Sequence, residues 1–169
     1  MIIGNKNTFA VESEFTDQDG WLVYGRFRVW VGGNAIGTYS EEVLNLKGTT
    51  GVLRNQINSA PQYAEHLSAA EFLVNVFEPC YGEGAYDHIK MQEWGCFNWL
   101  SYSESFETVF SAIAMVNNEI RIVWRLSDSS SAQEHYVSSA EYFDVCIKFI
   151  EWLDKGVAER RIDTPAVNV

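Results

Sequence analysis

MIIGNKNTFAVESEFTDQDGWLVYGRFRVWVGGNAIGTYS, residues Met1–Ser40, is the stretch whose reading decides the fold. From Thr8 to Phe15 the side chains alternate. Phe9, Val11, Ser13 and Phe15 fall on one side, and Thr8, Ala10, Glu12 and Glu14 on the other. Period-two alternation marks a strand with one buried face. Thr16-Asp17-Gln18-Asp19-Gly20 is polar and reads as a turn, for which Asp and Gly supply the chemistry. Trp21–Val31 resumes the alternation, with Trp21, Val23, Phe27, Val29 and Val31 on the apolar side and Arg26 and Arg28 opposite. Antiparallel pairing across the turn sets Glu12 and Glu14 near Arg26 and Arg28, so charge and hydrophobic parity select the same register. Gly32-Gly33-Asn34 supplies a second tight turn, and Ala35–Tyr39 begins a third strand.

Working outward, Thr49 or Thr50 caps a helix carrying Val52, Leu53 and Ile57, which ends before Pro61. Ser68 and Glu71 form a capping box opening a second helix with Ala69, Phe72, Leu73 and Val76 on one face, limited by Pro79. Cys80–Gly95 is the least regular part and reads as a long surface loop. Phe106–Leu126 is a second hairpin turning at Asn117-Asn118, because Asn tolerates the left-handed region. Symmetric pairing puts Val109, Ser111, Ile113 and Met115 beside Leu126, Trp124, Ile122 and Ile120. The other face, with Glu119, Arg121 and Arg125, reads as half covered. Ser127–Ser131 reads as a flexible polar loop. Ser138 with Glu141 is another capping box. It opens a helix to about Lys155, apolar at Ala140, Phe143, Cys146, Ile147, Ile150 and Leu153 and again at Tyr142, Val145, Phe149 and Trp152. Gly156 is its natural C′ residue.

The order strands, helices, strands, helix gives an α+β fold. The expectation is a single domain over 1–156, followed by a C-terminal tail over 157–169. It is an antiparallel sheet made of the N-terminal meander plus the C-terminal hairpin, packed on one face by helices that include a long C-terminal one.

The chain has 169 residues, 12 Lys+Arg against 23 Asp+Glu and a net charge of −11. That balance argues against nucleic acid or an anionic membrane surface as partner, and favours a basic protein. No secretory leader is read in Met1–Asn7, and no apolar run reaches membrane-spanning length. Cys80, Cys96 and Cys146 are sparse and odd in number, as in reduced thiols of a cytoplasmic protein.

Catalytic motifs are absent: no G-x-S-x-G elbow, no Walker loop, no G-x-G-x-x-G. Cys80 with His88 is the best nucleophile–base candidate, against the plainer reading of a buried thiol and an ordinary histidine. His66, His88 and His135 are far apart, and Cys80, His88 and Cys96 match no compact zinc spacing. Asp17-x-Asp19-Gly20 is a fragment of a calcium loop that turn chemistry explains without an ion. No metal and no cofactor is expected. Glu12 and Glu14 oppose arginines, which is a cross-strand ion pair rather than a glycosidase dyad. Trp30 lies on the Arg-bearing face, either as an exposed interface anchor or covered by another element.

Met1-Ile2-Ile3-Gly4, Phe9-Ala10-Val11-Glu12, Trp21-Leu22-Val23-Tyr24-Gly25-Arg26, Trp30-Val31-Gly32-Gly33-Asn34, Ile36-Gly37 and Ile122-Val123-Trp124-Arg125 resemble the immunity protein 42 family of bacterial polymorphic-toxin systems of the contact-dependent inhibition type. The resemblance implies a small cytoplasmic protein that binds and neutralises a cognate toxin domain, with no catalytic motif and no transferable binding residue. An acidic inhibitor suits a basic toxin, such as a nuclease. The candidate contacts are Asp17, Asp19, Trp30, Glu41, Glu42 and Glu83 on a monomer or weak homodimer. The alternatives are a small hydrolase using the Cys80/His88 loop and a non-catalytic regulatory subunit.

Overall fold

A computed structural model describes residues 1–40, 46–59, 67–72, 99, 106 and 108–163. The strands form two antiparallel sheets rather than one. The first has four strands in sequence order: β1 (Ile2–Gly4), β2 (Phe9–Asp19), β3 (Leu22–Val31) and β4 (Asn34–Ile36). The second has three: β5 (Val109–Val116), β6 (Glu119–Leu126) and β7 (Gln133–Ser138). The described helices are α1 (Leu46–Ser59), α2 (Ala69–Phe72) and α3 (Ser139–Asp163). The α+β class holds.

Glu12 pairs with Arg28 and Glu14 with Arg26, the register that charge and parity select. Beyond Phe15 the register shifts, and Asp17, Gln18 and Asp19 pair with Tyr24, Val23 and Leu22. Thr16–Asp19 is therefore strand, not turn, and the reversal falls on Gly20 and Trp21. A bulge of this kind exchanges the faces of everything beyond it. Gln18 comes to share the side of buried Val23, while Asp17 and Asp19 turn to the outer side, which already carries Glu12 and Glu14. Trp21, expected inside by parity, lies outside β3 and is 68% exposed.

The second hairpin has the expected register, with Val109↔Leu126, Ser111↔Trp124, Ile113↔Ile122 and Met115↔Ile120. Asn117 and Asn118 take φ of 49° and 66°, the left-handed pair that a two-residue turn of this twist needs. The polar segment Ser127–Ser131 lies between strands, because Gln133–Ser138 adds an unexpected third strand to β6. The second face of the hairpin is covered rather than half bare. Ala112, Ala114 and Val123 are buried there against Leu67, Ala69 and Ala132.

Helix α3 is the element that both sheets share. Tyr142, Val145, Cys146, Phe149, Ile150, Leu153 and Val157 form its buried stripe, at helical spacing. The ring of Phe149 lies tilted against Phe27 with centroids 5.3 Å apart, and Tyr142 likewise against Phe9 at 4.7 Å. Each such aromatic contributes about 2–3 kcal/mol by leaving water. Ala140 lies exposed, and so does Ile147, at 42%. These two sit at the edge of the expected stripe, which is narrower in fact and rotated toward Tyr142. The helix does not stop at Gly156 but runs to Asp163. Packing of buried Val157 against the core outweighs the modest cost of a helical glycine.

At its start, Ser138 Oγ accepts the Glu141 N–H at 3.2 Å, as a cap should. The Glu141 carboxylate accepts a hydrogen bond from the Thr8 hydroxyl, tying the helix to the β1–β2 connection. α1 begins at Leu46, earlier than Thr49 or Thr50. The Thr50 hydroxyl instead donates back to the Lys47 carbonyl at 2.9 Å. The Ser68–Glu71 box caps α2 as expected, with Glu71 N–H to Ser68 Oγ at 3.2 Å and Ser68 N–H to Glu71 Oε2 at 3.0 Å.

Two close approaches hold the layers in place. A Cβ on Gly25 would run into the Glu14 carbonyl oxygen and Leu46 Cδ1, so only glycine lets α1 seat on β3. A Cβ on Gly32 (φ 55°) would lie 2.8 Å from His135 Nδ1, so the β3–β4 turn meets β7 there.

Candidate functional site

The outer face of the first sheet is where polar and aromatic side chains converge. Glu12 is its centre. Its Oε2 accepts from Arg28 Nε at 2.8 Å, from Trp30 Nε1 at 2.8 Å and from Lys6 Nζ at 3.4 Å. Burial alone would push its carboxyl up. The hydrogen bonds from Arg28 and Trp30 and the charge of Arg28 outweigh that and hold it at about 2. Arg28 lies between two rings, 4.9 Å from the centroid of Trp30 and 4.8 Å from that of Tyr39. Lys6 covers Trp30 at 4.0 Å. Partial burial, then the negative charges of Glu12 and Glu14, raise the Tyr39 phenol above its ordinary value. Glu14 pairs with Arg26 Nη1 at 3.0 Å. Lys6, Arg26 and Arg28 against Glu12 and Glu14 leave this patch slightly positive on a chain of charge −11.

Trp30 is thus half-buried within this cluster, and its indole N–H is already used. Asp17 and Asp19 stand exposed further along the same face of β2, brought there by the bulge. Their neighbour Trp21 is the feature parity misplaces. The signal that could have found it is its position directly after Gly20, where a turn residue escapes strand alternation. Of the expected contacts, Asp17, Asp19 and Trp30 fall on one sheet face. Glu41, Glu42 and Glu83 lie outside the described residues, as do Cys80, Cys96 and His88.

Polar groups inside the fold are used structurally. Trp99 Nε1 donates to Tyr142 Oη at 3.0 Å, and Tyr142 Oη donates to Gln56 Oε1 at 2.9 Å, joining α3 to α1 through a buried chain. Cys146 is buried beside Tyr142, and burial pushes its thiol up to about 12. A thiol so held is neither nucleophile nor ligand at neutral pH. Arg121 is only 2% exposed and donates from Nε (2.8 Å) and Nη2 (2.6 Å) to Glu134. Among the described residues no group of three or more His, Cys, Asp or Glu could hold a metal. No described helix is long and apolar enough to cross a membrane.

Two antiparallel sheets on a shared long helix, with a pre-assembled charged and aromatic outer face, define a small α+β protein whose described chemistry is that of a surface. The chain belongs to the immunity protein 42 family, whose model matches residues 1–152. The family read from Met1–Ser40 and Ile122–Arg125 is therefore the right one. Among solved structures, the crystal structure of CdiI from Burkholderia dolosa is similar, with a TM-score of 0.64 at 16% identity, covering 89% of this chain and 99% of that one. At that identity the likeness is one of fold. No curated protein matches.

Proposed function

We propose that this immunity protein acts in the cytoplasm as a stoichiometric inhibitor, binding one cognate toxin domain and neutralising it without catalysis of its own. The observation that carries the reading is the family match across 1–152. The charge of −11 supports a basic toxin, with a nuclease the natural type, since an acidic inhibitor is steered to a surface built for phosphates. Asp17, Asp19 and Trp30 are the described candidates for contact, and Glu41, Glu42 and Glu83 complete the proposed set. The inhibitor acts as a monomer or a weak homodimer.

The experiment uses the C-terminal domain of the cognate toxin, sought among the genes that neighbour this chain's own. Mixed with that domain, the chain is expected to elute as a single one-to-one complex on size exclusion with light scattering. Separate elution at micromolar concentrations would sink the reading. Cys80→Ala and His88→Ala are expected to protect cells as well as the unaltered chain does. Loss of protection with retained binding would point to chemistry instead.

A further inference from the structure

The end of the β2–β3 hairpin is built unlike any other part of the described surface. Trp21 is 68% exposed and has no ring or cation partner among the described residues, whereas Trp99 and Trp124 are buried and Trp30 is enclosed by Lys6, Arg28 and Glu12. An exposed tryptophan leaves a large apolar surface in water, and such residues are the commonest anchors of protein interfaces. Beside it, Asp17 and Asp19 carry no ion pair among the described residues, while Glu12 and Glu14 on the same strand face are matched by Arg28 and Arg26.

The tip also carries its own local hydrogen bonds. Asp17 Oδ1 accepts the Gln18 N–H at 2.7 Å, Gln18 Nε2 donates to the Gly20 carbonyl at 3.0 Å, and Gly20 turns the chain at φ 57°. The bulge after Phe15 costs ladder regularity and brings both carboxylates to the outer face, in the last residues of β2 before Gly20 and Trp21. A pre-ordered tip loses little entropy on docking.

We infer that this hairpin end is the docking knob for the toxin, with Trp21 as anchor and Asp17 and Asp19 as flanking charges, and that it takes a basic segment of the toxin presenting Arg or Lys. A cation from that segment stacks on the indole face while its neighbours meet the two carboxylates. This deepens the inhibitor reading and rests on it.

The test is calorimetric titration of the full chain with an inactivated variant of the cognate toxin domain, at low and at physiological salt. Trp21→Ala is expected to weaken binding by roughly 30-fold or more. The paired change Asp17→Asn with Asp19→Asn is expected to weaken it roughly tenfold at low salt and to flatten the salt dependence. Thermal midpoints should stay close to the unaltered value, because Trp21 and Asp19 are exposed and Asn at position 17 keeps the Oδ1 that accepts the Gln18 N–H. Trp21→Phe should recover part of the affinity. If the unaltered chain binds and both variants bind within about twofold of it, the knob is not the docking site. If the salt dependence survives the Asn changes, the segment it meets is not basic. If the unaltered chain itself fails to bind, the inhibitor reading falls first and this inference with it.

Discussion

The indole N–H of Trp30 and the carboxylate of Glu12 meet at 2.8 Å, on the same Oε2 that accepts Arg28 Nε. One carboxylate oxygen therefore orders a tryptophan, an arginine and, at longer range, Lys6. These donors share an acceptor whose charge is strongly favoured in the fold.

That arrangement has a pH signature. Glu12 is held at about 2 in the folded chain against an ordinary 4.5. A depressed folded pKa gives stability that is fully present above pH 4.5 and is lost as pH falls toward 2. Glu12→Gln should cost about 1–3 kcal/mol in urea unfolding at pH 7, allowing for partial solvent screening. The gap between variant and unaltered chain should close steadily between pH 4.5 and pH 2. A gap independent of pH would show that Glu12 acts by shape and not by charge.

Close approach at Gly25 makes a steric prediction with an internal contrast. Gly25→Ala drives a methyl into the Glu14 carbonyl and Leu46, and should cost about 1–3 kcal/mol of stability. Gly51 lies inside α1, and a methyl there would meet nothing within 4 Å. Gly51→Ala should raise stability by about 0.5–1 kcal/mol through helix propensity. Differential scanning calorimetry reads both, and shifts of the same sign would refute the packing described for β3 and α1.

Tyr142→Phe removes one hydroxyl that accepts from Trp99 and donates to Gln56. The buried Trp99 N–H then loses its acceptor, at a cost of about 1–3 kcal/mol. Denaturant midpoints should fall with unchanged slope.

Glu134→Ala takes away the oxygen, Oε2, that accepts both Nε and Nη2 of Arg121, whose side chain is 3% exposed while that of Glu134 is 40% exposed. Water reaches the carboxylate side, so the loss should be about 1–2 kcal/mol, short of the full penalty for an orphaned buried charge. Replacing both, as Arg121→Met with Glu134→Ala, should recover part of it.

Much of this was legible in the sequence where hydrophobic period and charge agreed. Glu12 and Glu14 across from Arg26 and Arg28, and the register about Asn117-Asn118, follow from counting alone. The bulge was not legible, because an extra residue leaves no compositional mark and Thr16–Asp19 looks like turn chemistry. Without it Asp17 and Asp19 read as turn, while Trp21 leaves the alternation because it sits in the reversal itself, directly after Gly20. β7 escaped notice because only Val137 among its residues is fully buried, so its alternation is faint. The helix ran past Gly156 because Val157 finds a place in the core, a tertiary gain that no local end signal registers. The candidate site was half legible: its strand face could be read, while its most exposed aromatic was assigned to the interior.

Neutralisation by binding is tested most directly by a titration of toxin activity against this chain. Increasing amounts of chain are added to a fixed amount of the cognate toxin domain. Activity should fall linearly and reach zero at one equivalent, with no dependence on incubation time. Activity that persists at large excess, or that disappears with time at a small fraction of an equivalent, would contradict a stoichiometric inhibitor.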